Sequence, residues 1–469
     1  MSNLSTHQDR WPSSALFRFL FRAVTVVVAM IGTAQAAQAK CPEQVPLMAD
    51  WTLVVLMHPT DPDIRGTMNA NLRALFRVGS SERVNVVVQY EGRRYYVPRG
   101  SDAVGEMSAS PFDALTESAR LGSSCGGLPT SDAERNAALH FPSGNAVSSL
   151  VSQAIANFPA EKYALILGAH GAGVRAHGEQ AESVVGGVRA LGGSDPATRL
   201  FGVDLEAGLQ KALGPDRRLD LLAFDACLMS AIETAYGMRR VAEVMVASES
   251  NSTINGWVYN RILSELDLHL ATLNKVSSVT LASIIRASYR TQLVEGSLRG
   301  DLRDLSIISL DELLPDKPGV VSALSAVGAR VVDESLTSET LALRSACQPP
   351  ADEFFYLTRQ KAHGTSVDIE CLCRELGKNP TLATEASTLC AALSHAMLDP
   401  ERSIPWRAGI SVFFPRTVAG AAADADLPAY APSPQERDRA KQPRFAVDKI
   451  MGRPNGWTRF IRSAFGPRH

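Results

Sequence analysis

The residues best suited to covalent chemistry in this sequence are a cysteine and a histidine that each follow an apolar run. Cys227 ends "LDLLAFDAC", two positions after Asp225, and His170 ends "YALILGAH". A thiolate is a strong nucleophile, and an imidazole within reach takes the thiol proton and later returns it to a leaving group. The two are read as a candidate Cys–His dyad. Spacing alone leaves blander readings open, because a cysteine at a strand end is also a small buried hydrophobe or half of a disulfide. His58, His140, His177, His269 and His395 read as surface or core filler. The cysteines are seven, namely Cys41, Cys125, Cys227, Cys347, Cys371, Cys373 and Cys390. An odd number in an oxidising compartment leaves at least one thiol, which makes a nucleophile the natural question.

For Cys227 and His170 to meet, their elements must end on one edge of one sheet. "WTLVVLMH", "RVNVVVQY", "EKYALILGAH", "RLDLLAFDAC" and "AEVMVASES" are compact β-branched runs with apolar residues at successive positions, as strands buried on both faces require. Helical spacing lies between them, over Gly144 to Asn157, over Leu205 to Leu213, and on Leu228, Ile232 and Ala235. The alternation predicts an α/β fold with a mostly parallel central sheet flanked by helices, and reactive groups then collect beyond the carboxyl ends of the strands. A helix beginning near Leu228 would set Cys227 against its first turn, where the macrodipole favours a thiolate. The chain from about Gly300 to Trp406 reads as mainly helical, and "GISVFFP" near 409–415 reads as a late strand returning to the same sheet. The organisation expected is 1–39, 40–299 as the catalytic core, and 300–469 as a helical C-terminal region.

Export is expected from the first of these segments. Arg10, Arg18 and Arg22 precede the apolar run "AVTVVVAMIGTA", and "AQAAQAK" offers small residues for cleavage after Ala39, the layout of a secretory signal peptide. The mature chain is read as periplasmic or secreted, with no membrane span. Composition is that of an ordinary globular protein, and Lys+Arg 47 against Asp+Glu 49 gives a net charge of -2. This balance argues against a nucleic-acid footprint or a polybasic membrane patch. The stretch from Gly171 to Leu200 is rich in Gly and Ala and reads as a long exposed loop. Loops of such length are uncommon unless functional or cleavable.

"YALILGAHGAG", "LDLLAFDACLMSAIETAYGM", "VMVASES" and "INGWVY", in that order, resemble the clostripain family of cysteine peptidases. "WTLVVLM", "VNVVVQY", "VDIECLCREL", "GISVFFP" and "GWTRFIRSAF" extend the resemblance over nearly the whole chain after the signal. It implies a caspase-like fold and an exported cysteine endopeptidase. Cys227 would be the nucleophile, His170 the general base and acid, and the backbone N–H groups of Gly171 and Cys227 the oxyanion donors. Asp225 would line a pocket for Arg or Lys, although an aspartate before a helix is also a frequent N-cap. Asn255 stands before Gly256 and Trp257 where the family often has an aspartate, so the preference for a basic side chain is expected to be weaker or shifted. Ala172 and Val174 depart from the family's Gly and Trp, and "HPTDPDIRG" replaces its acidic cluster after the first strand. Self-cleavage between the histidine and the cysteine, as in family members, has Arg175, Arg189 and Arg199 as candidates, with Arg189 favoured.

No cofactor or metal is expected, with a calcium requirement left open by the resemblance. The partners expected are protein or peptide substrates. Cys371, Cys373, Cys390 and His395 are a zinc alternative, but a one-residue Cys spacing is unlike the usual zinc pairs, and six cysteines besides Cys227 suit three disulfides of unspecified connectivity. The competing function is an exported peptide-binding protein that kept the fold and lost turnover.

Overall fold

The computed structural model describes residues 48–97, 143–171, 190–192, 199–295, 305–347, 366–398, 409–414 and 455–465, apart from a few positions within them. The expected signal peptide, Cys41, Cys125, Arg175 and Arg189 lie outside the described residues.

The β-branched runs form strands because nearly every residue in them finds apolar cover. These are β1 (Ala49–Met57), β2 (Val84–Tyr90), β4 (Ala160–Gly168), β7 (Leu219–Asp225) and β8 (Ala242–Ser248). With β3 (Arg93–Tyr96) and β9 (Leu305–Ser309) they make a seven-stranded sheet in the order β3-β2-β1-β4-β7-β8-β9. The pairs from β2 to β8 are parallel, and the two edge strands run antiparallel. Alternation along each strand divides the core between the two faces. Leu53, Val55, Ile166, Leu221 and Val246 pack with helices α1 (Pro62–Val78), α5 (Tyr259–Leu273) and α6 (Ser278–Glu295). On the other face Val54, Leu56, Leu165, Leu222 and Phe224 pack with α2 (Gly144–Asn157) and α3 (Gly202–Leu213). That second face also takes in the late elements α7 (Val320–Asp333), α10 (Ala383–Ala396) and α11 (Gly456–Phe465).

The late elements therefore share one core with the early ones, and the chain from Gln44 onward packs as a single unit. Two expectations are corrected here. The late strand β11 (Ser411–Phe413) does not join the central sheet; it pairs antiparallel with β10 (Ser366–Asp368) and meets the region after Cys227 at the bridge from Ala231 to Ser411. The edge beside β8 is already taken by β9, a run of five residues inside the stretch read as helical. The supposed structureless loop from Gly171 to Leu200 ends in a two-stranded ribbon, β5 (Ala190–Gly192) with β6 (Arg199–Phe201).

The zinc alternative is also overturned. Cys347 pairs with Cys371 and Cys373 with Cys390 as disulfides. Among the described residues no group of three or more His, Cys, Asp or Glu is gathered as a metal site would need, and no helix is long and apolar enough to cross a membrane.

Candidate active site

The strand order reverses between β1 and β4, because the chain first builds outward to β2 and then returns to β4, β7 and β8. In open α/β sheets reactive groups collect beyond the carboxyl ends of the strands at such a reversal. β4 and β7 are direct neighbours with Gly168 opposite Asp225, and the Ala169 N–H continues the ladder to the Asp225 carbonyl at 3.4 Å. His170 and Cys227 each stand two residues beyond this last pair. Gly171 packs on the Cys227 backbone: a Cβ there would lie 1.9 Å from the Cys227 carbonyl oxygen, so only a residue without a side chain lets the two backbones approach this closely.

Cys227 is half-buried and is not among the disulfide-bonded cysteines. It does not sit against a helix N-terminus. Helix α4 (Ile232–Met238) begins five residues later, and Leu228 turns the chain between them with φ 61°. A leucine in the left-handed region is held there at a cost, set by the surrounding hydrogen bonds. Leu228 N–H donates to the Ser250 carbonyl at 3.0 Å and Ser230 N–H to the Ser248 carbonyl at 2.9 Å, which tie the turn to the end of β8. From the other side Ser411 N–H donates to the Ser230 carbonyl, and the Ser230 hydroxyl donates to the Gly409 carbonyl at 2.6 Å. The sulfur itself accepts the backbone N–H of Ser252 at 3.3 Å, while the Ser252 hydroxyl donates to the Ala226 carbonyl at 3.2 Å. The donor thus reaches the sulfur from a residue 25 positions further along the chain.

Asp225, the last residue of β7, is no helix cap. Its Oδ2 accepts the Trp257 N–H at 3.1 Å and the Tyr259 hydroxyl at 3.0 Å. Burial pushes its carboxyl up to about 6, against the pull of these two donors. Burial, reinforced by the neighbouring carboxyl, also holds the Tyr259 phenol well above its usual range. Gly256, at φ 62°, brings this segment against the carboxylate: a side chain there would meet Asn71 Nδ2 at 2.6 Å and Asp225 Oδ2 at 3.0 Å. Asn255 is an exposed turn residue whose carbonyl accepts from Asn71 Nδ2 at 3.2 Å. His58 follows β1 on the same edge, its N–H donating to the Gly168 carbonyl at 2.9 Å. It is buried, and that burial lowers its imidazole to about 4.

Of the residues singled out in the sequence, His170 and Cys227 follow the carboxyl ends of neighbouring strands, Gly171 packs on the Cys227 backbone, and Asp225 meets the segment that Asn255 opens. Arg199 opens β6 and pairs with Gly192 of β5. Ser252 and Tyr259 were missed as participants. "GWVY" was visible as a motif, but nothing local said that its tyrosine reaches an aspartate 34 residues earlier.

Solved structures share this fold. An inactive zymogen C11 protease from Parabacteroides distasonis aligns over 87% of this chain and 99% of its own, with TM-score 0.53 and 16% identity. A secreted C11 cysteine protease from Bacteroides thetaiotaomicron aligns over 78% of this chain and 94% of its own, with TM-score 0.52 and 13% identity. No curated protein matches the chain significantly. The clostripain-family model matches residues 79–338, more than half of the chain, and with the sheet this establishes that the protein belongs to the clostripain family of cysteine peptidases.

Proposed function

We propose that the chain is an exported cysteine endopeptidase that cuts peptide bonds after a basic residue, with Cys227 as nucleophile and His170 as general base and acid. The observation that supports this reading is the β4–β7 pairing, from whose last pair His170 and Cys227 each lie two residues on, with Gly171 packed on the Cys227 backbone. His170 takes the thiol proton, the Cys227 sulfur attacks the scissile carbonyl, and the Ser252 N–H steadies the thiolate. The backbone N–H groups of Gly171 and Cys227 receive the negative charge on the carbonyl oxygen. His170 then protonates the leaving amine, leaving a thioester on Cys227 that water hydrolyses with His170 as base. Asp225 receives the basic side chain of the residue before the cut. The layout "RxxxR…AVTVVVAMIGTA…AQA" within residues 18–39 supports export.

The test is labelling of the mature protein by a Lys- or Arg-directed, thiol-reactive peptide probe, read by intact mass and peptide mapping. Labelling on Cys227 alone, lost in Cys227→Ala and strongly reduced in His170→Ala, is the expected result. A Cys227 that reacts with neither the probe nor simple iodoacetamide overturns the proposal in favour of a silent peptide-binding protein.

A further inference from the structure

We infer that Tyr259 turns Asp225 into a single-oxygen acceptor, and that the pocket therefore selects lysine over arginine in the residue before the cut. The inference rests on the reading of Asp225 as the acid that meets a basic substrate side chain. Both protein donors converge on one atom: the Trp257 N–H and the Tyr259 hydroxyl reach Oδ2, and no described residue donates to Oδ1. A carboxylate oxygen offers two lone pairs, so Oδ2 is filled and Oδ1 is the atom left for substrate. Tyr259 has little freedom to yield. Its ring is fully buried at the first residue of α5, its N–H donates to the Trp257 carbonyl at 3.1 Å, and a Cβ on Gly168 would stand 3.8 Å from its hydroxyl. The hydroxyl is wedged between the end of β4 and the carboxylate.

A guanidinium gains over an ammonium at a carboxylate by forking two parallel N–H bonds onto both oxygens. With Oδ2 filled, that fork has one tine engaged and a second N–H desolvated without an acceptor. An ammonium is a point charge with rotatable donors and is satisfied by one carboxylate oxygen plus rim acceptors or water. Asn255, neutral and exposed, brings no second carboxylate to restore the fork. Tyr259 is thus a positioning residue that acts on selectivity through Asp225.

The experiment is kcat/KM on matched peptides that differ only in carrying Lys, Arg or norleucine before the cut, for the wild type and Tyr259→Phe, with folding checked by thermal melting. The wild type is expected to favour Lys over Arg by about five-fold, and Tyr259→Phe, which reopens a lone pair on Oδ2, to bring the ratio to about one or below. A wild type that cuts after Arg as well as after Lys overturns the inference while leaving the basic pocket intact. So does a Tyr259→Phe protein that loses activity on both substrates equally, because a merely structural role moves rates and not their ratio. If neither basic peptide outruns norleucine, the pocket reading itself fails. Wild-type labelling rates with matched Lys- and Arg-directed irreversible probes measure the same ratio without any variant.

Discussion

At the scale of single residues, the electrostatics of Asp225 make the clearest demand on experiment. Its carboxyl is raised to about 6 because burial penalises the anion more than Trp257 and Tyr259 reward it. Below that pH it is neutral and has no charge to offer a basic side chain. The ratio of kcat/KM for a Lys substrate over its norleucine counterpart should therefore fall as pH drops through 6, and Asp225→Asn should hold it flat and low. Using a ratio cancels the titration of the proposed dyad, which both substrates share. Gly171 makes a different demand, a steric one. Gly171→Ala forces a methyl into the Cys227 carbonyl, and displacing that backbone by even an ångström is expected to cost about a hundred-fold in kcat. Single-turnover acylation would measure it, and a loss under three-fold would show that the two backbones are less tightly coupled than described.

The elements around Cys227 explain how a strained turn is kept in place. Leu228 in the left-handed region is clamped between the end of β8 and the β10–β11 ribbon, so the late chain supports the turn after Cys227 instead of extending the sheet. The ribbon is itself anchored: Asp368 caps helix α9 (Ile369–Leu376) through the Cys371 N–H at 2.9 Å and accepts the Gly409 N–H at 3.0 Å. Glu233 accepts the Phe413 N–H at 2.9 Å. Two disulfides staple the neighbouring helices. The β5–β6 ribbon bears on self-cleavage in the same local way. A protease takes its substrate as an extended, accessible strand, and Arg199 already has its backbone paired with Gly192. Self-cleavage is thus expected at Arg175 or Arg189 and not at Arg199. Terminal sequencing of the wild type beside Cys227→Ala checks both the site and its dependence on the thiol.

For the whole molecule, acid sensitivity follows from His58. Its imidazole is lowered to about 4 by burial, against 6.5 when exposed, so the folded chain binds fewer protons than the unfolded one in that window. Stability is then fully present above 6.5 and falls as pH drops toward 4, by an amount on the order of a few kcal/mol. Asp225 works in the opposite sense, since its raised carboxyl takes up a proton in the folded state first and favours folding as pH falls from about 6. Subtracting urea-unfolding curves of His58→Gln from those of the wild type isolates the histidine. The variant should lose much of the downward slope between pH 6.5 and 4.5, and parallel curves would assign the acid limb to other groups.

The division between what was legible in the sequence and what was not follows the range of the interactions. Five internal strands could be read because continuous β-branched runs make sense only with both faces buried, and parallel strands joined through helices must send His170 and Cys227 to one edge. Short edge strands such as Leu305–Ser309 left too few residues to carry a pattern. The start of the helix after Cys227 was misplaced because apolar spacing continues through Leu228, and only contacts with Ser250 and Ser411 reveal a turn there. The donor on the Cys227 sulfur and the hydroxyl on Asp225 come from residues 25 and 34 positions away. The amino-acid sequence by itself determined the strands, the edge and the chemical types upon it. Which atom of each reactive group is engaged was decided by the tertiary structure alone, because it depends on strand order and on the turns that carry distant segments back to the crevice.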